Sequence, residues 1–300
     1  MTSTPDPRAA FEPHRRDLIS LAYRMLGDLA RAEDMVQEAW LRFARQEEAV
    51  ASPKAFLVTI VTRLCLNELD SARVRREESR GDRLPEPVAL DEHGLARLER
   101  IEQISIGFLL LLQRLRPAER AVLVLHDVFD FEHREIADML GNNAAACRKL
   151  LERARAELAL GRRALVASAD EHRRLLHAFM AAATNGDVAA LVGLLADDAL
   201  MISDGGASGR VAGGVRNLTR PLNGAARIAA FVVAATSRTA NELEVDEREL
   251  NGQPAVVFWL SGEPFAALLL GVEAGKIARV FFHADPQRLR HLGSRAVARP

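Results

Sequence analysis

The stretch "EIADMLGNNAAACRKLLERARAEL", residues 135–158, sets apolar residues at helical spacing on either side of Gly141. Ile136, Met139 and Leu140 form a stripe that stops at the glycine, a natural corner. Asn142 or Asn143 can cap a second helix, which buries Cys147, Leu150 or Leu151, Ala154 and Leu158. Arg148, Lys149, Glu152 and Arg155 are left outside. Residues 148–163 hold six cations and two anions, a local excess of cationic charge. The spacing is that of a helix-turn-helix, in which small Ala137 lets the helices cross closely. Its second helix, with Asn143 and Ala145 at its start, would enter a DNA major groove. Arg148 and Lys149 suit guanine edges or phosphates, and Arg153 and Arg155 suit phosphates. The bland alternative is a helical hairpin with a solvated basic face.

Charge elsewhere adds no such signal. The 300 residues carry a formal net charge of −1, with 26 cations and 27 anions up to residue 165 and 14 of each after it. Nucleic-acid binding must therefore rest on local patches. The length predicts two domains or three small ones. Cys65 and Cys147 fall within amphipathic helical patterns and read as reduced core residues, as in a cytoplasmic protein. The start lacks the apolar core of a signal peptide, and no apolar run reaches the roughly 20 residues that span a bilayer.

Upstream of the corner the chain also reads as helical. "RAEDMVQEAWLRF" (31–43) places Ala32, Met35, Val36, Ala39, Trp40 and Phe43 on one face. Asp34, Gln37, Glu38 and Leu41 share the opposite strip, and a leucine exposed among acids suggests a partner surface rather than bare solvation. In "SPKAFLVTIVTRLCLNELDSARVRRE" (52–77), Ser52 caps a helix with Pro53 at its first position, and Phe56, Leu57, Ile60, Val61 and Leu64 form the expected core stripe. Residues 77–97, around "RLPEP" (83–87), lack periodicity and read as a linker. Pro117 starts a further helix.

Downstream, "EHRRLLHAFMAAATNGDVAALVGLLADDALMI" (171–202) reads as two helices broken at Asn185-Gly186. A Gly-rich stretch, the helix "GAARIAAFVVAAT" and four strand-like runs follow, with a hairpin turn at Asn251-Gly252. Helices ahead of a strand meander predict a small α+β domain on an antiparallel sheet.

The three linked motifs over residues 10–160 resemble the two conserved regions of bacterial sigma-70-type factors, in the short extracytoplasmic-function form. The resemblance implies a multidomain chain. Region 2, an all-α domain over 8–76, would bind core RNA polymerase through Asp34, Gln37, Glu38 and Leu41. It would also meet the −10 promoter element through the helix carrying Arg63, Asn67, Arg73, Arg75 and Arg76, although the acid at Asp70 departs from many relatives. Region 4, an all-α domain over 98–163, would read the −35 element through Asn143, Ala145, Arg148, Lys149, Arg153 and Arg155. Residues 168–292 resemble a SnoaL-like cone, an α+β fold that a subgroup of these factors carries as a regulator in cis. "RLPEP", "DGGAS" (204–208) and "ADPQRL" (284–289) resemble linker, Gly-rich and terminal motifs of that subgroup. They imply regulatory contacts at Leu84, Pro85, Glu86, Pro87, Asp204, Gly205, Gly206, Asp285, Pro286 and Leu289.

The resemblance implies no cofactor and no metal, and it leaves room for an unknown small ligand in the C-terminal domain. Two other readings compete. A one-component helix-turn-helix regulator with a ligand-sensing C-terminal domain leaves "RAEDMVQEAW" unexplained. A SnoaL-like cyclase or isomerase would use Asp204 as base and His283 as partner inside the cone. No metal-ligand spacing, nucleotide-binding glycine motif or nucleophile triad accompanies that pair.

Overall fold

The computed structural model describes residues 6–46, 50–76, 84–90, 105–161, 167–206, 211–212, 214–216, 218, 220–239 and 242–293, with the backbone alone at 72–76 and 160–161. The chain divides into two units. The first comprises 1–80, 91–100 and 109–161, and the second comprises 81–90, 101–108 and 162–300.

The first unit is helical: α1 (Pro7–Phe11), α2 (Arg15–Leu26), α3 (Leu29–Ala44), α4 (Pro53–Arg76), α5 (Ile106–Arg114), α6 (Pro117–Asp127), α7 (His133–Leu140) and α8 (Ala144–Gly161). The boundary between units falls within α5. Gly27, left-handed at φ 67°, ends α2. Asp28 then caps α3 by accepting the Arg31 N–H at 3.0 Å. Leu18, Leu21, Tyr23 and Met25 of α2 are buried, as are Ala32, Val36, Ala39 and Phe43 of α3. On α4 the buried line is Leu57, Val58, Val61, Cys65 and Leu69. Phe56, Ile60 and Leu64 of the expected stripe are only half-buried. The stripe is rotated by about one position because α4 packs on α2, α3 and α6 together, a broad contact that a single-stripe reading does not anticipate. Ser52 accepts the Ala55 N–H at 3.3 Å at the start of α4. Of the block expected from residue 98, positions 98–104 lie outside the described residues.

The second unit runs α9 (Ala169–Thr184), α10 (Val188–Leu194), β1 (Leu195–Asp204), β2 (Val211–Ala212), β3 (Val215–Arg216), β4 (Leu222–Asn223), α11 (Ala225–Thr239), β5 (Glu244–Leu250), β6 (Gln253–Leu260), β7 (Glu263–Glu273), β8 (Lys276–His283) and α12 (Pro286–Leu289). Its main sheet has the order β4-β1-β8-β7-β6-β5. Two expectations are corrected here. The second helix ends at Leu194, and "LADDALMISD" is strand β1. The sheet is also mixed, because β1 runs parallel to β8. A parallel neighbour whose paired residues lie far along the chain, as Leu200 and Arg279 do, leaves no local trace in the sequence. One face of the sheet is filled by Leu175, Leu176 and Phe179 of α9 and Ile228, Ala229 and Val232 of α11, packed with Met201, Val256, Leu268 and Val280. Register shifts in β1–β8, β6–β7 and β7–β8 add twist and bend, giving the curved sheet of a cone. Gly271 sits at one of them, where a Cβ would come within 2.9 Å of the Arg279 Cβ.

Candidate promoter and polymerase interfaces and a clasped linker

The corner at Gly141 forms as its sequence dictates. Gly141 is left-handed at φ 63° and closes α7. Asn143 caps α8 through a 2.9 Å bond from the Ala146 N–H to its Oδ1. Cys147, Leu151, Ala154 and Leu158 are buried, so the half-buried Leu150 lies at the edge of the stripe. Asn143, Ala145, Arg148, Lys149, Arg153 and Arg155 are all exposed along the other side. Arg155 is partly engaged. Its Nη2 and Nε donate to the two oxygens of Asp127 on α6, at 2.5 and 3.2 Å. Burial alone would raise the Asp127 carboxyl, but hydrogen bonds from Arg155 and His126 offset this and leave it below its ordinary value.

On α3, Asp34 and Gln37 are exposed, Glu38 is half-buried and Leu41 is 41% exposed. Glu38 accepts from the Nε of Arg42 at 2.8 Å, one turn on, which orders the strip without neutralising Asp34. On α4, Arg63 and Asn67 are exposed, and the Arg63 Nε donates to the Met139 carbonyl of α7 at 2.9 Å. The helix continues through Arg73, Arg75 and Arg76, whose side chains lie outside the described residues. Buried Arg120 of α6 donates to the Met25 carbonyl of α2. Helices α2, α4, α6 and α7 therefore share one packed unit, with arginines satisfying carbonyls across it.

Residues 10–75 match the sigma-70 region 2 family model, and residues 107–158 match the sigma-70 region 4 model. The chain is 33% identical over 293 residues to a probable ECF RNA polymerase sigma factor, SigI, of Mycobacterium tuberculosis (strain CDC 1551 / Oshkosh), covering 94% of each. It is 34% identical to the ECF RNA polymerase sigma factor SigJ of M. tuberculosis (strain H37Rv), covering 93% of this chain and 91% of that one. This chain belongs to the extracytoplasmic-function RNA polymerase sigma factors. The crystal structure of M. tuberculosis SigJ aligns with a TM-score of 0.73 at 28% identity, covering 94% of this chain and 98% of that one, so the likeness extends through the C-terminal α+β domain. As a sigma factor the protein directs core RNA polymerase to promoter DNA. Among the described residues, no helix is long and apolar enough to cross a membrane.

This sigma factor holds its linker in a way the sequence did not reveal. Every residue from Leu84 to Leu90 is buried, within the second unit. At one end, the Leu84 N–H donates to the Asp204 Oδ2 at 3.1 Å. The Leu84 carbonyl accepts from the Arg288 Nη1. Asp204 and Arg288 are 4.0 Å apart, so opposite charges grip the two sides of one residue's backbone. At the other end, the Val88 N–H donates to the Asn251 Oδ1 at 2.9 Å, and the Asn251 N–H donates to the Val88 carbonyl at 2.8 Å. Between them, buried Glu86 lies 3.4 Å from His291. Burial of chain without regular structure requires such partners for its peptide groups.

Asp204, Gly205, Asp285 and Leu289 are buried at or near the first grip, and Pro286 is exposed. Gly206 is left-handed and stands so close to Asp285 that a Cβ would lie 2.8 Å from its Cγ. Its N–H donates to the Asp204 Oδ1 at 3.1 Å, which orients the carboxylate. Arg288, Asn251 and His291 were missed as contacts. Arg288 lay inside the quoted "ADPQRL", but Asn251 read only as a turn residue and His291 gave no signal.

The acid–base pair expected of an enzyme does not converge in the cone. Asp204 and His283 are register partners on β1 and β8. Their neighbours Ser203 and Phe282 line the interior, so alternation turns Asp204 and His283 to the other face. Asp204 is occupied by N–H donors. Burial, aided by Arg288, pushes His283 down to about 3, so its imidazole is neutral near pH 7.

Proposed function

We propose that this sigma factor acts in the cytoplasm, that its polymerase contact is the Asp34, Gln37, Glu38 and Leu41 strip, and that α8 reads the −35 element through Arg148 and Lys149. The −10 contact falls to the α4 face carrying Arg63 and Asn67, continued by Arg73, Arg75 and Arg76. The C-terminal domain catalyses nothing in this reading. It regulates in cis, by holding the chain between regions 2 and 4.

The observation that carries this reading is the two-ended grip on Leu84 and Val88. Two promoter elements lie tens of ångströms apart, and a free linker leaves the spacing of two DNA-reading modules loose. A clasped linker limits which separations the modules can reach, so linker release shifts the population competent for both elements. The packing of Arg63 and Arg120 onto carbonyls across the first unit describes a closed form, which must open before regions 2 and 4 reach separate elements.

The test is transcription from a promoter with both elements, using core polymerase and the full chain. Asp204→Ala and Asn251→Ala are expected to change promoter output while affinity for core polymerase stays constant. Unchanged output from both variants, with the linker demonstrably freed, would refute regulation through the clasp.

A further inference from the structure

The end of β1 points in two directions. Asp204 faces the linker, and Ser203, one residue earlier, faces the interior of the cone. The Ser203 Oγ is buried and has no hydrogen-bond partner among the described residues. It lines a cavity of about 100 Å³. The remaining wall is mostly apolar, with Phe179, Phe258, Leu268 and Phe282 among its members. Among the described residues Arg216 is the charged one in that wall, and it is exposed. Two threonines of α11 also line the cavity: Thr239 donates to the Ala235 carbonyl of its own helix at 3.0 Å, and Thr236 is half-buried.

A wall that is mostly apolar favours an apolar occupant over a cluster of waters, each of which needs two or more polar partners. Left empty, the cavity forfeits dispersion contacts along its aromatic lining and leaves the serine hydroxyl unmet. A cavity on the order of 150 Å³ lined by apolar side chains accepts a benzene ring, so the scale here is that of one small ring. We propose that this cavity is a binding site for a small uncharged molecule with an apolar body and one hydroxyl or carbonyl group that meets Ser203. A charged ligand is disfavoured, because among the described residues no charged group deep in the wall would compensate its desolvation.

The site stands on the cavity alone. Its consequence for the sigma part rests on the clasp reading given above. Ser203 and Asp204 occupy adjacent positions, and the Asp204 carbonyl accepts at 2.6 Å from the N–H of Ala284, which itself lines the cavity. A ligand that shifts this strand end also shifts the carboxylate holding Leu84. Differential affinity for the clasped and released states would then move the equilibrium between them.

The probes are p-cresol and toluene, which differ by one hydroxyl, titrated into the full-length protein by calorimetry and by NMR. Saturable one-to-one binding of p-cresol is expected, with toluene at least tenfold weaker. Ser203→Ala should erase that difference, and Ala183→Phe, which fills the cavity, should abolish binding of both. The absence of saturable p-cresol binding up to its solubility limit would overturn the site, as would binding that neither substitution alters. Because Ser203→Ala removes a single unpaired oxygen, it keeps the test valid if the larger substitution fails to fold. Deuterium uptake at residues 84–90 should change with p-cresol bound. Saturable binding with unchanged uptake there would overturn the coupling but leave the cavity site standing.

Discussion

Asp204→Ala tests the clasp at its most exposed assumption, that one carboxylate holds the linker. The substitution removes the acceptor of two N–H groups, those of Leu84 and Gly206. The Gly206 bond lies within the loop, so only the Leu84 bond counts directly toward holding the linker. A hydrogen bond to a charged group contributes about 1.5–3 kcal/mol, and its loss leaves a buried N–H unmet. At about 1.4 kcal/mol per factor of ten, release of residues 84–90 should become roughly 10- to 150-fold more favourable. Arg288, 9% exposed, would keep its bond to the Leu84 carbonyl but lose the nearby carboxylate, which adds to the cost. Hydrogen exchange read by mass spectrometry on peptides covering 84–90 measures this directly. Protection should fall by that factor at Leu84 and less at Val88, which Asn251 still holds. Exchange at 84–90 unchanged from wild type in a folded variant would refute the clasp.

Gly206→Ala should act in the same direction, because a Cβ would collide with Asp285 and the left-handed backbone would be strained. Faster exchange at 84–90 is the readout. Asp34→Arg combined with Glu38→Arg should weaken core-polymerase binding by several kcal/mol in a fluorescence titration, and undiminished binding would remove the α3 strip from the interface. Arg148→Ala and Lys149→Ala should each cost about 1–3 kcal/mol and relax −35 preference if they touch bases. Arg155→Ala should flatten the salt dependence by less than the roughly 0.9 expected per phosphate contact, since its guanidinium is shared with Asp127. Acidification should destabilise the C-terminal domain through His283. Its folded pKa of about 3 lies below the ordinary value of 6.5, so between these limits the unfolded chain takes up a proton that the folded one excludes. Stability then drops as the pH is lowered, by up to about 1.4 kcal/mol per unit. His283→Phe should flatten the slope between pH 7 and pH 4.5 in urea titrations, and a slope equal to wild type would place the titration elsewhere.

What the sequence determined by itself is whatever its local chemistry enforces. Gly141 with Asn143 made the helix-turn-helix corner legible, because a left-handed stop and a side-chain cap act within a few residues. Ser52-Pro53 started α4 and Asn251-Gly252 turned a hairpin for the same reason. The strip on α3 proposed to meet polymerase was equally visible, since 3.6-residue periodicity assigns faces before any packing occurs. Tertiary structure alone decided the rest. "LADDALMISD" became a strand because β8 offered it a parallel partner, which outweighed a local pattern compatible with helix. Residues 84–90 looked like loose linker because their hydrogen-bond partners, Asp204, Asn251 and Arg288, lie more than a hundred residues away and leave no periodic mark. Even Asp204, whose motif was recognised, acquired its role only when strand alternation turned it from the cavity toward the Leu84 backbone, with Ser203 left facing inward.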